Sequence, residues 1–293
     1  MDKKKLFAIL SGAVTGLLIA AKIDSERITI TEYDYKNKKV PDELDGMRIV
    51  QISDLHRKRF GKNQRRLIEA VRSCNPHLIL LTGDIIDNTM RDPEPSLELI
   101  REAVKIADCY YVPGNHEAWM DQEEYRRWRR FLIKKGVHIL KNEAVDLAEG
   151  VKLYGVEDPD FYPGTTDVGR KSFFDDLFGK EEDRWVLNQT LKGLKKTDEL
   201  KILMSHRPER LDLYAKYGMD LVFCGHAHGG QYRIPFLGAL GAPNQGVLPK
   251  LVHGLHIKDQ TTEIISRGLG VSLLPIRFFC PPEIVCVTLH TNR

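Results

Sequence analysis

Five short polar blocks punctuate this chain, each at the end of an apolar, β-rich run. They are Asp54-Leu55-His56, Gly83-Asp84-Ile85-Ile86-Asp87, Gly114-Asn115-His116-Glu117, Ser205-His206 and Gly225-His226-Ala227-His228. The runs before them cover residues 48–53, 78–82, 109–113, 201–204 and 221–224. Short stretches of Ile, Val, Leu and Tyr bounded by Gly or Pro read as buried strands. The pattern therefore demands a fold that gathers several strand ends into one place, where sheet-based folds set their chemistry.

The residue types in the blocks suit two adjacent divalent cations. Carboxylate and amide oxygens mixed with imidazole nitrogens fit manganese, iron or zinc. No Cys-x-x-Cys pair points to structural zinc. Two ions about 3.5–4 Å apart can clamp a phosphoryl oxygen, with one carboxylate between them. Asp84 is the expected bridge. Any single block is weak, since Gly-Asp and Gly-Asn are ordinary turn dipeptides. Five in order form a specific signal.

This ordered set resembles the calcineurin-like metallophosphoesterase superfamily across roughly residues 48–290. The segments Gly229-Gly230-Gln231-Tyr232, Ser266-Arg267-Gly268-Leu269-Gly270 and Pro281-Pro282-Glu283-Ile284 are similar to its bacterial membrane-associated branch, labelled YkuE- or YaeI-like. The resemblance implies a two-sheet β-sandwich flanked by helices, an α/β (α+β) arrangement in four layers. It implies Asp54, His56, Asp84 and His228 as ligands of one metal, and Asp84, Asn115, His206 and His226 as ligands of the other. It gives His116 the role of general acid towards the leaving oxygen, or of stabilising the transition state, and Asp87 that of orienting it, which a carboxylate does by fixing the imidazole tautomer. The resemblance also implies a link to lipid or nucleotide-sugar-lipid phosphoesters, including hydrolysis of UDP-diacylglucosamine. One departure stands out. Protein Ser/Thr phosphatases follow the second block with Arg-Gly, whereas Asn88-Thr89 follow Asp87 here. Arg57 and Arg207, each directly after a block, are the alternative candidates for gripping phosphate, because a guanidinium fork fits it in bidentate fashion.

The N-terminus is the second informative feature. Lys3-Lys4-Lys5 precede an uncharged run over residues 6–21, which Lys22 closes. As a helix that run spans about 24 Å, against a hydrocarbon core of about 30 Å. An uncleaved, single-pass signal anchor over residues 1–22 is expected, with secretion after signal cleavage as the alternative. Positive-inside orientation places the catalytic domain, residues 23–293, outside the cytoplasm. A tether of about five residues, at most about 18 Å extended, holds it close to the membrane.

At 293 residues the chain supports one large domain plus the anchor, and a monomer is expected. Five scattered cysteines, Cys74, Cys109, Cys224, Cys280 and Cys286, read as buried thiols, with Cys280 and Cys286 open to pairing if the strand bends. A formal net charge of +3 is too small to indicate nucleic-acid binding. Helices are expected over 63–73, 96–107, 123–135 and 208–217. Residues 157–184, with Phe161, Phe173 and Phe174, suggest either a lid or the apolar face of a short helix. Residues 235–255, uncharged before Lys250, suggest a wall of the substrate site suited to an acyl chain or bilayer. The expected function is hydrolysis of a membrane-associated or lipid-linked phosphoester. A nuclease or cyclic-nucleotide phosphodiesterase, and a non-catalytic metal-binding scaffold, are the alternatives.

Overall fold

A computed structural model describes residues 3–162, 181–193, 198–271 and 276–292. The strands, in chain order, begin with β1 (Thr29–Asn37), β2 (Arg48–Ile52), β3 (Leu78–Thr82), β4 (Asp108–Val112) and β5 (His138–Ile139). Next come β6 (Glu143–Ala148), β7 (Val151–Gly155), β8 (Leu200–Met204) and β9 (Leu221–Cys224). Four two-residue strands follow: β10 (Arg233–Ile234), β11 (Gly238–Ala239), β12 (Gly241–Ala242) and β13 (Gly246–Val247). Then come β14 (Gly254–Lys258), β15 (Thr261–Ile265) and β16 (Glu283–Thr291). The helices are α1 (Lys3–Glu26), α2 (Arg65–Ser73), α3 (Glu94–Ala103), α4 (Asn115–Ala118), α5 (Gln122–Lys134), α6 (Glu181–Lys192) and α7 (Leu211–Lys216).

Two six-stranded sheets carry the fold, in the orders β1-β16-β2-β3-β4-β5 and β14-β15-β9-β8-β7-β6. The strands that precede the polar blocks run parallel to one another within each sheet: β2, β3 and β4 in one, β8 and β9 in the other, with β16 antiparallel to β2. Their C-terminal ends therefore share an edge.

The side-chain alternation of a strand explains the layering. In β3, Leu78 and Leu80 point between the sheets, while Ile79 and Leu81 point outward. The inner residues join Ile49, Val112, Ile202, Leu221, Phe223 and Val287 in the inter-sheet core. The outer ones meet Leu67, Val71, Leu99 and Leu132 from α2, α3 and α5. On the far side, Val222 and Cys224 of β9 pack with Leu187 and Leu191 of α6 and Leu213 and Tyr214 of α7. Both faces of each central strand are covered, so β3 reads as a continuous apolar run. Truncating Leu80, fully buried, to Ala would cost about 2–5 kcal/mol. The result is the expected mixed α/β architecture, two sheets with helices outside.

The helix boundaries shift little from the sequence expectation, except that residues 208–217 divide into a 3-10 turn, Pro208–Arg210, and the short α7. In α5, Asp121 caps the start by accepting from the backbone N–H of Glu123 and Glu124. Trp128 is buried and donates to the Tyr111 hydroxyl, while Arg126 and Arg130 pair with Glu123 on the outer face.

The N-terminus departs from expectation. Residues 3–26 form a continuous helix, but among the described residues no helix is long and apolar enough to cross a membrane. The apolar run is too short, and the last turns of α1 belong to the domain. Ala21 and Ser25 are buried, and the backbone N–H of Arg277 donates to the Ser25 hydroxyl at 2.7 Å. Glu26 binds Lys58 and Arg66. Where a short tether was expected, the helix continues to Glu26 and its end is docked on the domain. The cysteines Cys280 and Cys286 do not pair; all five are free and buried. Phe173 and Phe174, offered as lid residues, lie outside the described residues; Phe161 packs against Tyr125 of α5.

Candidate metal centre

The turns after β2, β3 and β9 place their polar side chains through unusual backbone. Asp54, His56, Asp84, His226 and His228 all have φ between 50° and 65°. Non-glycine residues rarely adopt this left-handed region, and a group of them marks a site where the surroundings hold strain in place. Gly83 makes the crowding possible: a Cβ there would sit 2.5 Å from His206 Nδ1. Gly114 is constrained likewise by Asp84.

The five blocks converge as expected. Asp54, His56 and His228 present donor atoms within 4.8 Å of one another, and so do Asp84, His206 and His226. All six side chains are buried. Between the groups, Asp84 Oδ2 lies 3.3 Å from His206 Nε2 and 3.9 Å from His56 Nε2. Asn115 joins the second group, its Oδ1 3.1 Å from His206 Nε2. Across the first group, His228 Nε2 is 3.5 Å from Asp54 Oδ1 and 3.3 Å from His56 Nε2.

The electrostatics fit cations. Burial pushes His56 down to about 3, helped by His116. Burial also lowers His226 and His228 well below the ordinary imidazole range, with Arg207 adding to the effect on the first and His56 and Arg277 on the second. These three rings are neutral and keep lone pairs for a ligand bond. His206 is different: burial opposes its charge, but Asp84 and then Asp54 outweigh burial and push it up to about 10. Burial would raise Asp84, yet His206 and His116 hold it well below the usual carboxylate range. Two neutral imidazole nitrogens facing each other at 3.3 Å, beside an anionic carboxylate and with His56 Nδ1 lacking a hydrogen-bond partner, are a donor set that a divalent ion completes.

His116 lies at the rim, its ring 4.4 Å edge-on to His56 and 5.0 Å from Trp119. Asp87 Oδ2 is 3.9 Å from His116 Nδ1, an ion-pair separation and not the orienting hydrogen bond expected from the sequence. Asp87 instead accepts from the Thr89 N–H and hydroxyl, while Arg57 approaches its other oxygen at 3.7 Å. Arg57 is half exposed and borders the centre.

Arg207 does not fill the role proposed for it from the sequence. It is buried, and its guanidinium forks onto both oxygens of Asp158 and approaches Asp160 at 3.4 Å. Its Nη1 lies 3.2 Å from His226 Nε2. A guanidinium with those partners is committed to the two aspartates and to holding His226, and is closed off from solvent.

Glu117 is the functional residue that the sequence reading left without a role. Its buried carboxylate accepts from four backbone N–H groups: Asp84 at 2.9 Å, Ile85 at 2.9 Å, Ile86 at 3.3 Å and Gly114 at 2.8 Å. It ties the second and third blocks together. The signal for it was its place at the end of Gly114-Asn115-His116-Glu117, which specifies an acid but not its partners. Asn244 was also missed; its Nδ2 lies 3.0 Å from His226 Nε2.

Comparison with known proteins agrees with the geometry. Residues 47–230 match the Calcineurin-like phosphoesterase family. The chain is 28% identical to the uncharacterized metallophosphoesterase YkuE of Bacillus subtilis, covering 98% of this chain and 95% of that one. It is 30% identical to an uncharacterized metallophosphoesterase of Helicobacter pylori over 85% of this chain and 61% of the relative. It is 25% identical to UDP-2,3-diacylglucosamine pyrophosphatase LpxG of Chlamydia muridarum, over 95% of this chain and 94% of that one. With five ligand blocks converged on one sheet edge and a family match spanning most of the domain, the chain belongs to the calcineurin-like phosphoesterases, in a branch with YkuE, and is a phosphoric ester hydrolase.

Proposed function

We propose that this protein is a two-metal hydrolase acting on a phosphoester or pyrophosphate bond of a lipid-linked substrate. The observation that carries the metal count is the position of Asp84, whose Oδ2 faces His206 on one side and His56 on the other. Asp54, His56, Asp84 and His228 would hold one ion, and Asp84, Asn115, His206 and His226 the other. Manganese, iron and zinc all suit these donors. Ions bound there supply Lewis-acid charge to a phosphoryl oxygen and activate water. The chain itself supplies the rest. His116 at the rim hands a proton to the leaving oxygen. Asp87 and Arg57 stand beside it and set its surroundings.

The lipid-linked substrate is supported by two features. The relative from Chlamydia, similar over nearly the full length of both chains, is named for a diacylated nucleotide sugar. Residues 235–249, six residues beyond the last ligand block and just after Arg233, carry no charge. The same features support a location at the membrane surface.

The test is manganese-dependent hydrolysis of bis-p-nitrophenyl phosphate and p-nitrophenyl phosphate by the full chain beside its Asp84→Asn variant. A lipid-linked nucleotide diphosphate is then compared with its water-soluble counterpart. Turnover lost in the variant and faster on the lipid form supports the reading. Equal rates on both forms remove the lipid, and turnover that survives Asp84→Asn removes the metal assignment.

A further inference from the structure

Beyond the metal centre, one edge of the domain exposes apolar side chains where folding alone gives no reason for them. β10 and β11 pair as a hairpin, Arg233 opposite Ala239 and Ile234 opposite Gly238. Its tip is Pro235-Phe236-Leu237. β12 and β13 form a second hairpin, and Leu248 follows it. Phe236 is fully exposed at 110%, Val247 is 67% exposed, and Ile234, Leu237, Leu248 and Phe279 lie between 43% and 55%. Scattered exposed apolar residues need no explanation, but a contiguous group does. Arg233, Ile234, Phe236, Leu237 and Phe279 together line an open groove of about 480 Å³.

The backbone sharpens the point. Phe236, Leu248 and Phe279 have φ of 67°, 52° and 50°. Gly or Asn is the default residue in such left-handed turn positions. Large apolar side chains here accept both an unfavourable backbone and exposure to water, so their use lies outside the folded monomer.

The position of the edge is equally specific. Arg233 donates to the Gly229 carbonyl at 3.1 Å, next to the ligand His228. Phe278 bridges Tyr232, and Phe279 precedes Cys280, whose thiol lies 3.4 Å from the His228 carbonyl. In the same segment the Arg277 N–H holds Ser25 at the foot of α1. Leu18, Ile19 and Ile23 of that helix are 56–59% exposed. Apolar hairpin tips, Phe279 and an apolar helix thus leave the domain beside one another, along the rim of the metal centre. Arg233 lines the groove and Lys250 is exposed just beyond the second hairpin, a basic border to an uncharged stretch of residues 235–249. An apolar tip with cations behind it matches an anionic bilayer, whose acyl region is apolar and whose headgroup layer is negative. A protein partner has no comparable feature favouring it here.

We propose that this edge docks on a lipid bilayer: Phe236, Leu248 and Phe279 enter the boundary between headgroups and acyl chains, with Arg233 and Lys250 at the phosphate level. The surface deepens the reading of the protein as a lipid-directed phosphoesterase, since it would present a headgroup phosphoester to the ligands beside His228. Docking by the hairpins is separate from any contact made by α1.

The test uses the full chain with Phe236→Cys labelled with nitrobenzoxadiazole. The native cysteines are buried, which makes labelling selective. Lys105→Cys is the control, exposed before β4 on the edge opposite the ligand blocks. Each protein is mixed with vesicles of phosphatidylcholine and phosphatidylglycerol, with and without a lipid-borne quencher. Docking gives a blue-shifted, brighter and quenchable emission at position 236 and none at 105. No change at 236, an equal change at both positions, or a shift at 236 that follows protein concentration without vesicles and so reports a second copy on the surface, overturns the proposal. Hydrolysis of bis-p-nitrophenyl phosphate is measured on unlabelled protein. A protein that docks without turnover overturns the enzymatic reading and keeps the surface; turnover without docking does the reverse.

Discussion

Asp84 Oδ2 stands 3.3 Å from His206 Nε2 and 3.9 Å from His56 Nε2, one carboxylate oxygen between two groups of candidate ligands. Asp84→Asn keeps the shape and removes the shared negative charge. Metal content is expected to fall below two ions per chain, with affinity reduced about 100-fold or more, and diester turnover to be lost. Elemental analysis of the purified variant, read beside its rate, checks both. Two tightly held ions in the variant would remove Asp84 from the bridge.

His206 gives the metal-free protein a defined pH response. Its folded value is pushed up to about 10 by Asp84 and Asp54 against an ordinary 6.5. Below about pH 6.5 the ring is protonated in both folded and unfolded chains, and its stabilising contribution is fully present. As pH rises towards 10 only the folded chain still holds the proton, so the contribution is progressively lost. Glu117, which burial and Asp84 push up to about 8, acts in the same direction from about pH 4.5 to 8. The melting temperature of chelator-treated protein should therefore fall from pH 6.5 to 10. Manganese must displace the His206 proton, so its apparent affinity should rise up to about tenfold per pH unit over the same window. Calorimetry in buffers of different ionisation enthalpy counts that proton. An affinity that is flat with pH sinks the assignment of His206 as a ligand.

Glu117 accepts from four backbone N–H groups in the two turns that carry Asp84 and Asn115. Glu117→Gln turns one acceptor oxygen into a donor facing those N–H groups. The expected cost is about 1–3 kcal/mol of stability and about 10–100-fold in metal affinity. Denaturant unfolding and metal titration of the variant test the two separately.

Arg207 is buried with Asp158 and Asp160, and separating such a pair leaves an uncompensated charge. Arg207→Met should destabilise the fold by about 3–5 kcal/mol. Arg207→Lys should rescue little, because an ammonium lacks the fork that meets both oxygens of Asp158. If Arg207→Lys instead folds normally and shows only a raised KM, the arginine reaches substrate after all.

The contrast between the two arginines shows what was legible in the sequence. The ligand blocks were readable because metal chemistry restricts the residue type, and because each block follows a strand whose apolar pattern is unambiguous. The sheets followed, since β3 and β9 occupy the runs marked as strands at residues 78–82 and 221–224. Arg57 and Arg207 look alike in sequence, each next to a ligand. Only the tertiary position of Asp158, 49 residues away in the chain, separates the buried one from the exposed one. Long-range acid–base pairing leaves no local pattern. Glu117 illustrates the same limit, as its partners are backbone N–H groups that every residue carries. The N-terminal helix was legible as a helix, but its docking through Ser25 depends on the Arg277 backbone, 252 residues away.

His116 tests the proton path. Its ring borders the candidate ligand His56 at 4.4 Å, and its backbone N–H donates to Asp84 Oδ1 at 2.9 Å, so the main chain is fixed whatever the side chain does. His116→Ala should therefore leave metal binding close to normal and slow turnover by roughly 10²–10⁴-fold. The loss should grow as the leaving group becomes more basic, because a p-nitrophenolate departs with little help and an alkoxide does not. Asp87→Asn should cause a smaller loss of the same kind, since Asp87 sits 3.9 Å from the ring without a closed hydrogen bond. The measurement is kcat for a series of diesters that differ in leaving-group pKa, on both variants with metal content checked. A His116→Ala rate equally reduced for every leaving group would mean that the imidazole stabilises charge on the phosphoryl oxygens and gives up no proton.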